Sequence, residues 1–150
     1  MRANPVCREL ALGSEDYRRA LELRETVLRK PLGLVWTPEE LAKEAHSFHL
    51  GCFEGGALAG TLVLTPLDAA TIKMRLVAVA GDAQGRGIGT ALVTFAEEFA
   101  AVRGFSRIVA HARETALPFY CKLGYLIEGE PFIQVSIPHV AISKRLPTPS

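Results

Sequence analysis

The sequence predicts a mixed α/β (α+β) fold: a mixed sheet carrying helices on both faces. Apolar alternation marks several short strands, a 3.6-residue apolar period marks fewer helices, and strands precede helices more often than they alternate with them. That order disfavours a wholly parallel, doubly wound sheet. At 150 residues with no repeat, low-complexity tract or linker, residues 1–150 are expected to form one domain. A chain of that size buries about 68–70% of the surface its unfolded form exposes. The composition, 49% hydrophobic and 22% charged with a net charge of +1, excludes disorder and a nucleic-acid binder built on a strongly basic face.

The elements follow in order. Residues 7–12 read as a first strand. Ser14 is placed to cap a helix running to about Arg29, with Leu21, Leu23, Val27 and Leu28 among its apolar positions, before Pro31-Leu-Gly33 ends it. Thr37-Pro38-Glu39-Glu40 combines a capping threonine, a first-turn proline and a glutamate three residues after the cap, so a second helix is expected to about Ser47. Residues 49–53 and 58–65 flank Glu54-Gly55-Gly56-Ala57 and read as antiparallel strands joined by a glycine turn. A strand at 71–79 precedes a glycine loop and a helix at 90–103 that carries Leu92, Val93, Phe95, Ala96, Phe99 and Ala100, with Gly104 as its terminator. Beyond it come a strand at 106–111, a short helix at 115–123 stopped by Gly124, and residues 125–127. Short strands at 132–135 and 139–143 follow, with Gly129, Pro131 and Pro138 as breaks, and the Pro-Thr-Pro-Ser end is expected to fray.

The segment Gln84-Gly85-Arg86-Gly87-Ile88-Gly89 holds the most chemistry. A phosphate-gripping P-loop needs Gly-Lys-Ser/Thr, and no lysine lies between Lys73 and Lys122. The dinucleotide fingerprint Gly-x-Gly-x-x-Gly is missed by one residue, because the glycines stand at 85, 87 and 89. A plain flexible turn also uses glycine. Yet glycine lets backbone approach a ligand, a helix start presents unpaired N–H groups at the positive end of its dipole, and Arg86 adds a forked cation. Together these suit a pyrophosphate.

Gln84-x-x-Gly87-x-Gly89, preceded by Leu76-Val-Ala-Val79 and followed by an amphipathic helix, resembles the acetyl-CoA-binding signature of the GNAT superfamily of N-acetyltransferases. Ala116-Leu-Pro-Phe119-Tyr120-Cys-Lys-Leu-Gly124-Tyr125 is similar to a second segment of that superfamily. The string His111-Ala-Arg-Glu-Thr-Ala116, with Ile137-Pro138-His139, resembles a subgroup of small bacterial acetyltransferases. The resemblance implies a GNAT-type mixed, mostly antiparallel central sheet of six to seven strands flanked by about four helices. It implies that backbone groups of Val77 and Val79 bond the pantetheine arm. It further implies that the amides of Gly85, Arg86, Gly87, Ile88 and Gly89 hold the pyrophosphate, with the Gln84 and Arg86 side chains at the rim. Phe119 would pack near the arm, and the Tyr120 hydroxyl would sit by the thioester sulfur as general acid. Arg113 departs from the asparagine many relatives carry there to meet the pantetheine.

The chemistry of Tyr120 stands without the analogy: a phenol of pKa about 10 can protonate a departing thiolate of pKa near 8.5. Adjacent helix residues point about 100° apart, so Cys121 should not face the thioester if Tyr120 does. A lysine-like amine is only about one part in a thousand neutral at pH 7.5, so a base is needed. His111, Glu114, Glu130 and His139 are the candidates, with His139 favoured. Arg24, Arg29, Lys30 and Trp36 fall where relatives build the acceptor groove, which raises an anionic amine as substrate. His46 and His49 have a ligand-like spacing but no third ligand, so no metal is expected.

The expected function is therefore direct acetyl transfer from acetyl-CoA, as cosubstrate, to a primary amine of a small molecule or protein. A non-catalytic CoA-binding or sensing module is the alternative. No nucleic-acid or membrane partner is expected, since no apolar stretch reaches a membrane span and Met1 leads into no signal-peptide region. Cys7, Cys52 and Cys121 lack disulfide or zinc spacing, which fits a cytoplasmic protein. The short C-terminal strands leave a sheet edge that a homodimer would cover.

Overall fold

The computed structural model describes residues 4–29 and 43–147, so the Thr37–Glu40 capping box, Lys30 and Trp36 lie outside the described residues. Two compact units emerge: residues up to Thr65 with Leu76–Ala96, and Pro66–Arg75 with residues from Glu97 onward. The sheet has eight strands in the order β1-β2-β3-β4-β5-β8-β6, with β7 on β8, and three α-helices stand among the described residues. The fold is the expected mixed, mostly antiparallel sheet, one strand longer than the upper count.

In the first unit β1 (Val6–Leu10) pairs antiparallel with β2 (Phe48–Glu54), which pairs antiparallel with β3 (Ala57–Pro66). Gly55 and Gly56 make the β2–β3 turn with φ of +59° and +85°, the conformation a two-residue hairpin requires. Helix α1 (Glu15–Arg24) starts where expected, the Tyr17 amide donating to Ser14 Oγ at 3.1 Å. Its buried stripe is Tyr17, Ala20 and Arg24, while Leu21 and Leu23 are only half-buried, and a π-helical turn at Glu25–Arg29 replaces its expected last turn. Arg24 holds a core position because Glu44 receives it in a bidentate pair, at 2.5 Å to Oε1 and 3.4 Å to Oε2. Both His49 ring nitrogens face the same residue, Nδ1 at 3.1 Å from Glu44 Oε2 and Nε2 at 2.8 Å from the Glu44 carbonyl.

The second unit is built on β5 (Arg107–Arg113). Strand β4 (Thr71–Val79) lies parallel to it over Thr71–Met74, and β8 (Ile137–Arg145) lies antiparallel on its other side. Strands β6 (Leu126–Ile127) and β7 (Phe132–Gln134) both pair antiparallel with β8. Pro138, expected as a break, sits inside β8 opposite Ile133, at the edge where β7 is only three residues long. Alternation sends Ile72, Met74, Ile108, Ala110 and Ile142 into the core. Helix α2 (Ile88–Val102) ends at Gly104, with φ +92°, and α3 (Leu117–Lys122) ends at Gly124, with φ +94°.

Candidate active site

Strand β4 changes character at Leu76, a non-glycine residue with φ +56°. Its ladder to β5 stops at Met74–Ala110, so Val77 and Val79 lie beyond that pairing. After a 3-10 turn at Gly81–Ala83 come Gly85 and Gly87, with φ of +83° and +81°. A Cβ at either would meet nothing within 4 Å, so glycine is needed there for backbone conformation and the surrounding space is open. The helix begins two residues earlier than the sequence indicates and takes in Ile88 and Gly89. Ile88 is only 1% exposed and packs where a Cβ on Gly60 would stand 3.0 Å from it, so its side chain serves the core and only its amide can serve a ligand.

The first bond of α2 runs from the Ala91 amide to the Gly87 carbonyl at 3.0 Å. The amides of Ile88, Gly89 and Thr90 therefore precede the helical ladder. Gly87 stands at the capping position and has no side chain to satisfy them, and the first turn holds no acidic residue. Arg86 is committed elsewhere: it donates to the Asp82 carbonyl at 2.7 Å and pairs with the Glu54 carboxylate. Gln84 Nε2 donates to the Val79 carbonyl at 3.2 Å, tying the loop to the end of β4.

In the second unit Tyr120 is 7% exposed, edge-on to Phe119 at 4.9 Å and to Tyr125 at 5.5 Å. Its hydroxyl makes no hydrogen bond with the described residues, whereas that of Tyr125 donates to Glu97 at 3.0 Å. Burial pushes the Tyr120 phenol up to about 12. Cys121 is exposed, as its helix position requires. His139 is 7% exposed, and since a carbonyl can only accept, its Nδ1 donates to the Ile137 carbonyl at 2.8 Å. The lone pair of the neutral ring is then on Nε2. His111 is exposed, and its Nδ1 donates to Gln134 Oε1 at 3.0 Å. Glu114 and Glu130 are exposed as well.

Residues 14–125 match the model of the acetyltransferase (GNAT) family. The chain belongs to that family. It is 27% identical over 136 residues to the uncharacterized N-acetyltransferase YjcF of Bacillus subtilis (strain 168), covering 90% of this chain and 96% of that one. It is also 30% identical over 76 residues to the uncharacterized protein YyaT of the same organism, a match that spans about half of either chain, 51%. A crystal structure from Lactobacillus plantarum, described as an N-acetyltransferase, superposes with a TM-score of 0.83 at 26% identity over 95% of this chain and 98% of that one. A GNAT structure from Elizabethkingia anophelis with acetyl-CoA bound shares the fold, with a TM-score of 0.74 at 19% identity over 95% and 99% of the two chains.

Within this GNAT chain the structure alters the setting of several residues that the sequence singles out. Arg24 is fully buried against Glu44, so it lines no groove, and the side chain of Arg29, Lys30 and Trp36 fall outside what is described. Glu54 was not legible as a partner of the loop, because 32 residues separate it from Arg86 and only the β2–β3 turn brings it there. Nothing in the letters marks Leu76 as left-handed, since leucine carries no turn signal.

Proposed function

We propose that this GNAT chain moves an acetyl group from acetyl-CoA directly to a primary amine of a small molecule or protein. The observation that carries the reading is the open start of α2, where the amides of Ile88, Gly89 and Thr90 stand ahead of the ladder without a side-chain cap. Three aligned N–H groups at the positive end of a 15-residue helix fit a diphosphate. Gly85 and Gly87 turn the backbone toward the same space, with Gln84 and Arg86 at the rim. The Glu54 pairing leaves Arg86 positioned but largely neutralised, so the amides supply most of the attraction. Val77 and Val79, beyond the β5 ladder, offer backbone groups to the pantetheine arm.

Acetyl-CoA supplies an acetyl group already activated as a thioester and leaves as the free thiol. On the protein's side, the amine must lose a proton as its nitrogen bonds the acetyl carbon, and His139 Nε2 is the acceptor for that proton. Tyr120 donates toward sulfur as the carbon–sulfur bond breaks. With its phenol at about 12 and a thiol near 8.5, it acts first as a hydrogen-bond donor to developing negative charge and completes proton delivery only with the base's proton to replenish it. The same reading places the chain in the cytoplasm, which its free thiols suit.

The test is free-thiol release from acetyl-CoA over a panel of amines, run beside calorimetry with coenzyme A. Turnover with any amine supports the transferase. Binding without turnover across the panel favours a sensing module, and no heat with coenzyme A removes both.

A further inference from the structure

The second unit has two unlike sheet faces. Opposite the apolar one, alternation and register bring together Lys73 from β4, His111 and Arg113 from β5, and His139 from β8. Lys73 pairs with Val109, the same-face neighbour of His111, and Arg113 stands directly across from His139. Residues two apart on a strand lie ~6.6 Å apart and adjacent strands ~4.8 Å, so the backbones of Lys73 and Arg113 stand about 14 Å apart with His111 between them, a span that the long lysine and arginine side chains can close. The Phe132 ring joins the two imidazoles, edge-on to His111 at 5.0 Å and stacked on His139 at 6.2 Å. Arg75, two residues beyond Lys73, flanks it.

Lys73 and Arg113 are half-buried, yet neither makes an ion pair or hydrogen bond with the described residues. Glu114 and Glu130 are exposed and pair with neither, while Glu128 is engaged further along the sheet with Arg107 at 3.7 Å and with Ser143. Half-burying a cation without a counter-charge among the described residues is costly. The groups themselves record that cost. Burial and then Arg75 hold the Lys73 ammonium below its ordinary value. Burial, Lys73 and His139 hold the His111 imidazole below its own, against an opposing bond from Gln134.

We propose that Lys73, His111 and Arg113 form an anion site that holds a carboxylate of the amine acceptor. The acceptor is then an acidic or amino-acid-like amine and not a simple alkylamine. The inference rests on the transferase reading only for the word acceptor; the site itself stands on charge and register. Carboxylate is the ligand chemistry because the arginine fork accepts it in two parallel bonds and an ammonium and an imidazolium complete its coordination.

Succinate, a dicarboxylate without an amine, is the probe, read by NMR titration of the His111 ring proton with and without it. The expected result is an upward movement of the His111 pKa on binding. Lys73→Met and Arg113→Gln should each weaken succinate about tenfold, the equivalent of ~1.4 kcal/mol, and leave coenzyme A affinity by calorimetry unchanged. A His111 titration indifferent to succinate overturns the site, and so does an Arg113→Gln variant that loses coenzyme A but keeps succinate, which would make Arg113 a coenzyme contact. Should coenzyme A fail to bind while succinate still moves His111, the transferase reading falls and the anion site survives.

Discussion

Replacing Gly87 by alanine separates the loop's geometry from its chemistry. Gly87 sits at φ +81° with open space where a Cβ would stand, so the substitution meets no clash. Its whole cost is conformational, about 1–2 kcal/mol for an L-residue held in the left-handed region. For a chain of this size that lowers Tm by about 2–8 °C. The chain can escape that cost by moving to negative φ, but the peptide planes on either side then rotate and the amides of Gly87 and Ile88 turn away. Each charge-assisted bond lost to the diphosphate weakens binding by ~1.5–3 kcal/mol, roughly tenfold to 150-fold. Gly81→Ala is the control, since Gly81 is equally open but not left-handed. Thermal melting with and without coenzyme A, together with calorimetry, reads both effects. A Gly87→Ala protein that melts and binds like the unaltered chain would refute the role given to this backbone. So would a Gly81→Ala protein that loses as much.

Arg24→Met alone should cost about 3–5 kcal/mol in urea unfolding by leaving the Glu44 carboxylate buried without its cation, and adding Glu44→Leu should recover most of it; equal losses would show that the pair is not the source. Tyr120→Phe should lower kcat about 10²–10⁴-fold, with a stability change at neutral pH within about 0.5 kcal/mol because the hydroxyl has no partner among the described residues. The phenol's rise from 10 to about 12 on folding gives a contribution fully present below pH 10 and lost as pH climbs through about 12. The unaltered chain should therefore lose stability relative to Tyr120→Phe across that window, opening a difference that is near zero at neutral pH, and a pH-independent difference would contradict the assignment. Iodoacetamide at neutral pH should label exposed Cys121 first, since burial raises the Cys7 thiol and pushes Cys52 up to about 12; peptide mapping that finds Cys52 labelled first would overturn this.

What the letters determined alone is what acts within a few residues of itself. Ser14 caps α1, Gly55-Gly56 turns the β2–β3 hairpin, and Gly104 and Gly124 stop their helices, because each signal is a side chain or a missing Cβ read by its own turn. The sequence puts the start of α2 two residues late for the same reason: Ile88 and Gly89 belong to a glycine-rich string by composition and to the helix by packing, since Ile88 is held in the core against Gly60. Tertiary structure alone decided the pairings. Glu44 makes Arg24 a core residue from 20 positions away, Glu54 engages Arg86 from 32, and strand register sets Lys73, His111, Arg113 and His139 on one face. Such contacts depend on which strands lie side by side. A charge is spelled the same way whether it will meet its opposite, its like or water, and only the fold chooses among them.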